Sequence, residues 1–385
     1  MSYIPPHKRH SKDPNRPSPV PDSLVTKFKN NLDFKNSSDK INRVTCSENF
    51  ISKWLLVGSN GIGDKVPASV DLVPFSSDSG EGINGERPLV LMNNDINKAS
   101  EQEERAQWVL IAEKVEEDLV LAYKRAKTSV EENQHVLRLV ARFGKILLYK
   151  RKPGPIAEFS QKNLKKMFST DVPTSNLHHI MSKVPSHDFS IDLEKDTYTV
   201  KISHNTRPTE TINCKCTLKE DGRLSMYKAE LNVVWHLVHD MSCIDRSLDL
   251  RLMLAAKRKM TALTEKEISD IKGLLDSATV DPNVKGGLRW PFGKSSSGDG
   301  YRIFEVCHVR ATIYKNQTLR LRVRETDRFN ERTGTGAVKR EVTLILKDVN
   351  TKLQEPNIER GCVMEMLRDA LGTIWDFMHC GASLR

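Results

Sequence analysis

Three arginines at alternate positions, Arg320, Arg322 and Arg324, carry the strongest chemical signal in the sequence. Leu319, Leu321 and Val323 interleave with them. A strand here buries the aliphatics on one side and sets a row of guanidiniums on the other. The row repeats about every 7 Å, close to the spacing of phosphates along a nucleic-acid strand. Lys339 and Arg340 add to it from the next strand, and residues 301–347 hold eleven Lys or Arg against five Asp or Glu. The competing reading is a solvated face, with the arginines matched by Glu305, Glu325 and Glu341 on neighbouring strands. A second basic stretch, GGLRWPFGKSSSGDG (286–300), mixes Arg289 and Lys294 with Trp290 and Phe292. Such a loop stacks its aromatics on bases and meets phosphate with its cations, or else Trp290 and Phe292 simply pin it to the core.

Other patterns approach chemistry without reaching it. VGSNGIGDK (57–65) has two glycines at phosphate-loop separation, but Asp64 stands where the lysine belongs and no Ser or Thr follows Lys65. Gly293-Lys294-Ser295 supplies only the tail of that motif, with Pro291 inside the loop. HLVHDMSC (236–243) would gather His236, His239 or Asp240, and Cys243 on a helix, whereas a strand sends the two histidines to opposite faces. Cys214 and Cys216 lack a second pair. There is no G-x-S-x-G, and the E-x-E-x-K strand of tunnel-type triphosphate hydrolases is absent. No metal, no cofactor and no catalytic residue is predicted.

The elements that must position these residues begin late in the chain. Residues 1–45 carry prolines at 5, 6, 14, 17, 19 and 21 and nine Lys or Arg against four Asp or Glu, and read as a disordered basic tail. FISKWLLV and RPLVLMN read as strands. Ser100 with Glu103 caps a helix striped by Trp108, Ile111, Ala112, Val115 and Leu119. A second box, Ser129 with Glu132, predicts a helix through Val136, Val140 and Phe143, capped at Gly144 and followed by a strand, KILLYKRK. Another helix is expected near Ala157–Phe168, then a polar connection to about residue 187.

From residue 188 the pattern turns to alternation, with Asp221-Gly222 as a hairpin turn, SLDLRLMLAAKRK as a strand and three meandering strands after Tyr301. Thr264 and Glu267 cap a helix to about Leu275. Met364, Leu367, Leu371, Ile374, Trp375 and Met378 mark one face of a last helix, between Pro356 and Gly381. The predicted class is α+β. A mostly antiparallel twisted sheet in the C-terminal half (188–385) is capped by the C-terminal helix, behind a smaller mixed α/β region (46–187).

Bulk properties narrow the setting. The 385 residues are 38% hydrophobic and 29% charged, with a net charge of +10 and a pI near 9.1, which favours an acidic partner. Seven scattered cysteines fit a reducing compartment. The start shows no apolar signal core and no stretch nears the roughly 18–20 apolar residues of a membrane span. The expectation is a nuclear or cytoplasmic protein with no membrane role.

YIPPHKR (Tyr3–Arg9) resembles the Tyr-Ile/Val-Pro-Pro-His-x-Arg element in the N-terminal tails of translation-linked DEAD-box RNA helicases. Those helicases carry Leu where this chain has Lys8, and their core motifs are absent here. The resemblance implies a short linear motif in which Tyr3, Ile4, Pro5, Pro6, His7 and Arg9 dock a folded protein partner. Over its full length, including MSCIDRSLDLRLML, the chain resembles a plant family of uncharacterised proteins. Three functions stay open: a non-enzymatic adaptor that meets RNA or another polyanion; an enzyme acting on a phosphorylated or nucleotide substrate in a basic cleft; and a scaffold with no polyanion role.

Overall fold

The computed structural model describes residues 45–58, 61–63, 69–75, 87–93, 101–128, 135–150, 164–231, 233–258, 263–276, 279–280, 288–289, 300–330 and 335–378. Alternating apolar residues drive most of the described residues into strands. In order these are β1 (Thr45–Gly58), β2 (Gly61–Gly63), β3 (Val70–Pro74), β4 (Leu89–Asn93), β5 (His135–Lys150), β6 (Leu164–Ser169), β7 (Ser190–His204) and β8 (Arg207–Leu218). There follow β9 (Leu224–Leu231), β10 (Val234–Cys243), β11 (Asp249–Arg258), β12 (Thr279–Val280), β13 (Leu288–Arg289), β14 (Tyr301–Lys315), β15 (Leu319–Asn330) and β16 (Thr335–Leu346). The helices are α1 (Glu101–Thr128), α2 (Thr174–Lys183), α3 (Glu265–Asp276), α4 (Lys347–Gln354) and α5 (Arg360–Met378).

The main sheet runs β2-β1-β10-β11-β5-β16-β15-β14-β7-β8-β9, with β4 and β6 paired to the second half of β5 and β3 paired to β4. Every pair is antiparallel except β1 with β10. β1 and β5, which precede residue 188, lie within the same sheet as the later strands. Laid flat at about 4.8 Å per strand, β9 and β11 would stand about 34 Å apart. They are in contact instead. The eight strands from β11 to β9 therefore curl into a nearly closed wall.

The two faces of that wall differ in chemistry. On the outside, α1, α2, α4 and α5 cover one core built from Leu139, Ala141, Phe143, Leu250, Leu252, Leu254, Leu321, Leu344, Leu367 and Trp375. α3 covers a second core over β7, β8 and β14, with Ile271, Leu274 and Leu275 against Val200, Ile202 and Cys214. Charged side chains are left to the inside.

Several expectations hold. Thr264 N donates to Glu267 Oε2 (2.9 Å) and Glu267 N to Thr264 Oγ1 (3.2 Å), a closed capping box at the start of α3. Gly222 takes φ of 77° at the β8–β9 turn. Leu367, Leu371, Ile374, Trp375 and Met378 of α5 are all buried.

Two segments predicted as helix are strand where they are described. Val136, Val140 and Phe143 lie on the strand β5, where Leu139, Ala141 and Phe143 alternate into the core; the helical spacing was incidental to a period of two. Gly144 is no cap. It sits inside β5, where a Cβ would lie 2.0 Å from the Ser169 carbonyl oxygen. Leu164–Ser169 is the strand β6 rather than the end of a helix, and the polar connection contains α2, which starts behind Pro173 and buries Asn176 and Ile180. Ser129, Glu132, residues 151–163, Trp290 and the tail residues Tyr3, Ile4, Pro5, Pro6, His7 and Arg9 lie outside the described residues, as does the side chain of Arg289.

Candidate functional site: the inner wall of the curled sheet

Strand alternation decides which side chains line the wall. Because Leu139, Ala141 and Phe143 are buried outside, Arg142 must face in; the same logic turns Arg251 inward between Leu250 and Leu252, and Glu341 and Thr343 inward beside Val342 and Leu344. Register then brings them together. Arg251 is opposite Arg142, Arg142 opposite Thr343, and Thr343 opposite Arg322, so one line of partners crosses four strands. Arg324 is opposite Glu341, and Asp240 opposite Arg251.

Two carboxylates anchor this cluster. Arg251 grips Asp240 with both arms of its fork, Nε to Oδ1 at 2.6 Å and Nη2 to Oδ2 at 3.0 Å, and Lys166 Nζ lies 2.8 Å from the same Oδ2. The Arg251 guanidinium also lies 4.5 Å over the Phe168 ring. Glu341 is bonded by Arg324 Nε and accepts the Thr170 hydroxyl at 2.6 Å. Burial alone would raise both carboxyl pKa values, but the bonds and charges from Arg251 and Lys166, and from Arg324 and Thr170, hold both below the usual range.

Arg142 and Arg322 are different. Neither forms an ion pair or a side-chain hydrogen bond among the described residues, and the Nε of each is buried without a partner. Burial pushes the Arg142 pKa down to about 10; Arg324, Arg251 and Arg322 push the same way, and Glu341 opposes them. Arg322 is likewise lowered to about 10 by burial and by Arg324, against Glu341, Tyr227 and Glu230. Tyr227 and Glu230 belong to β9, four strands from β15 along the sheet, so their field reaches Arg322 across the interior. Both arginines keep some accessible surface while protein surrounds them, as side chains lining an enclosed space do. Five cations, Arg142, Arg251, Arg322, Arg324 and Lys166, thus cluster around two described carboxylates, Asp240 and Glu341.

Further along the wall, two more carboxylates are each held by cations. Glu305 is 2% exposed and held by Lys201 Nζ at 2.6 Å and by Arg328. Burial and the nearby Glu305 push the Cys307 thiol up to about 12. Lys228 meets Glu230 at 2.8 Å.

The predicted row therefore stands on one face, the inner one, and is partly neutralised. Arg320 pairs with Asp192 at 3.0 Å, Arg324 pairs with Glu341, and Arg322 is left over. Lys339 and Arg340, grouped in the sequence reading, are divided by the pleat. Arg340 lies on the other face, its backbone N–H on Asp171 and its guanidinium 3.9 Å from Glu325. HLVHDMSC is strand β10, which separates His236 from His239. Among the described residues no three His, Cys, Asp or Glu are grouped to hold a metal ion. Arg142, Arg251 and Lys166 were missed, and Asp240 was named only as a metal-capable side chain. For Arg142 the available signal was the L-x-A-x-F alternation across 139–143, hidden by the capping pattern ahead of it.

No curated protein matches the sequence. Among solved structures, the S. pombe Pct1 RNA triphosphatase is similar over 69% of this chain and 93% of that one, at 9% identity and a TM-score of 0.43. The same protein in complex with the Spt5 CTD gives 10% identity over the same shares, again at 0.43. A likeness that faint carries no functional argument. The family profile described as a domain of unknown function (DUF7903) matches residues 38–378, and the chain belongs to that family.

Proposed function

We propose that the protein binds a small phosphorylated anion, a nucleotide or an oligophosphate, inside the curled sheet, with Arg142 and Arg322 as its principal ligands and Arg324 beside them. The observation that carries this is the pair of partly enclosed guanidiniums, crowded by like charge, to which no described carboxylate is bonded. Crowded cations without counter-charge are costly to hold, and a phosphate oxygen pair fits the guanidinium fork. Had Arg322 been paired like Arg320 and Arg324, a scaffold with no anion role would be the better reading.

Binding is favoured over hydrolysis by the state of the carboxylates. A general base works best with a pKa near the working pH. Asp240 and Glu341 are both held low and already committed to cations. Enclosure also favours a compact ligand over a nucleic-acid strand laid across an open sheet face.

Calorimetric titration with adenosine triphosphate, with inorganic tripolyphosphate and with a single-stranded RNA decamer tests the proposal. Arg142→Gln and Arg322→Gln are each expected to weaken the small anions by about tenfold or more, and to flatten the salt dependence of binding. Affinities unchanged in both variants would overturn it. RNA binding that exceeds the small anions and ignores both substitutions would return the role to an outer surface.

A further inference from the structure

Among the described residues, the first half of β7 has an open edge. β14 pairs β7 from Ser190 to His204, with register slips at Asp192 and at Phe304, but β8 pairs it only from Tyr198 onward. The burial pattern changes at the same point: six of the seven residues from Ser190 to Asp196 are exposed, while Tyr198, Thr199 and Val200 are buried. Ile191 is 63% exposed and Leu193 is 44% exposed, two of the few large apolar side chains on the described surface. The open stretch of eight residues, Ser190–Thr197, is about 27 Å long. Backbone donors and acceptors on such an edge, with apolar side chains between them, make a template for another strand.

Charge selects the occupant. Asp192, Glu194 and Asp196 recur along this edge against Lys195 alone. Asp192 is engaged by Lys315 and Arg320 and Asp196 by His308, whereas Glu194 has no ion pair among the described residues. A second copy of the chain is a poor fit. Each two-fold antiparallel register centred from residue 192 to residue 195 sets acid against acid, and like charges directly opposite destabilise a pair.

We infer that Ser190–Thr197 receives an extended basic peptide of a partner protein as an added antiparallel strand, with Lys or Arg opposite Glu194, a second Lys or Arg stem along Ile191 on the same face, and an aliphatic residue over Leu193 on the other. The inference is independent of the anion site.

The test uses the full chain and a fluorescein-labelled decapeptide alternating Lys and Val, with the Glu–Val counterpart as control. The protein's net charge is +10, so bulk charge opposes the basic peptide and favours the acidic one. Fluorescence anisotropy is expected to show saturable binding of the Lys–Val peptide, weakened by about tenfold or more in Glu194→Lys and in Ile191→Ser/Leu193→Ser. Hydrogen exchange on the unaltered protein is expected to show new amide protection confined to residues 190–197. No binding of the basic peptide, equal binding of the acidic one, protection elsewhere, or concentration-dependent dimerisation through this edge would each overturn the inference.

Discussion

Arg142 and Arg322 hold charge that the folded chain does not balance, and this separates stability from binding. Replacing Arg142 with Met keeps the aliphatic stem and removes one of four crowded guanidiniums. The ligand-free protein is expected to gain about 1–2 kcal/mol in urea unfolding while losing anion affinity. A loss of stability would show the cation is neutralised after all. His239 provides a separate, pH-dependent handle. It is fully buried against α1, its Nε2 3.0 Å from Asp118 Oδ2, and Lys53 Nζ reaches the same oxygen at 2.6 Å. Burial lowers its pKa to about 4, outweighing the pull of Asp118, so Lys53 supplies the counter-charge and the imidazole stays neutral. Above an unfolded pKa near 6.5 the histidine costs nothing. As pH falls toward 4 the unfolded chain takes up a proton that the folded one refuses, and up to roughly 3 kcal/mol of stability is lost. His239→Gln is expected to remove that part of the slope between pH 6.5 and 4.

Elements explain which of these residues could be read in advance. The Arg320–Arg324 row was visible because β15 alternates without interruption, and its place on the face opposite Leu319 and Leu321 followed from that. Arg142 was not visible. Ser129, Glu132 and the spacing of Val136, Val140 and Phe143 imitate a helix, and only the pairing of β5 with β11 and β16 decides for a strand. Local propensity lost to tertiary pairing there. The α3 start was legible since a capping box acts within four residues; Thr264→Ala is expected to cost about 1 kcal/mol in thermal unfolding. Gly144 makes the sharper test of β5. A methyl group there meets the Ser169 carbonyl oxygen and lies 2.7 Å from the Phe168 ring, so Gly144→Ala is expected to destabilise by about 3 kcal/mol or to shift β6. Since β6 carries Lys166 to Asp240, anion affinity should fall with it, which calorimetry on the folded fraction would detect.

At the scale of the whole molecule, sequence patterning announced α+β and an antiparallel sheet, but not the curl. Closure depends on β9 returning to β11, a meeting of strands no local pattern encodes, and it turns an exposed-looking arginine row into an inner lining. The parallel pairing of β1 with β10 was equally unforeseen, and it bears on how the protein is made. Thr45 lies beside Val234, about 190 positions later in the chain. At ribosomal speeds of about 5–20 residues per second, β1 waits roughly 10–40 s for its neighbour to be synthesised. Until then the run from Ile51 to Val57 has one open edge, with β2 on the other, so one side of β1 is secured late. A nascent-chain chaperone has its natural customer in that run.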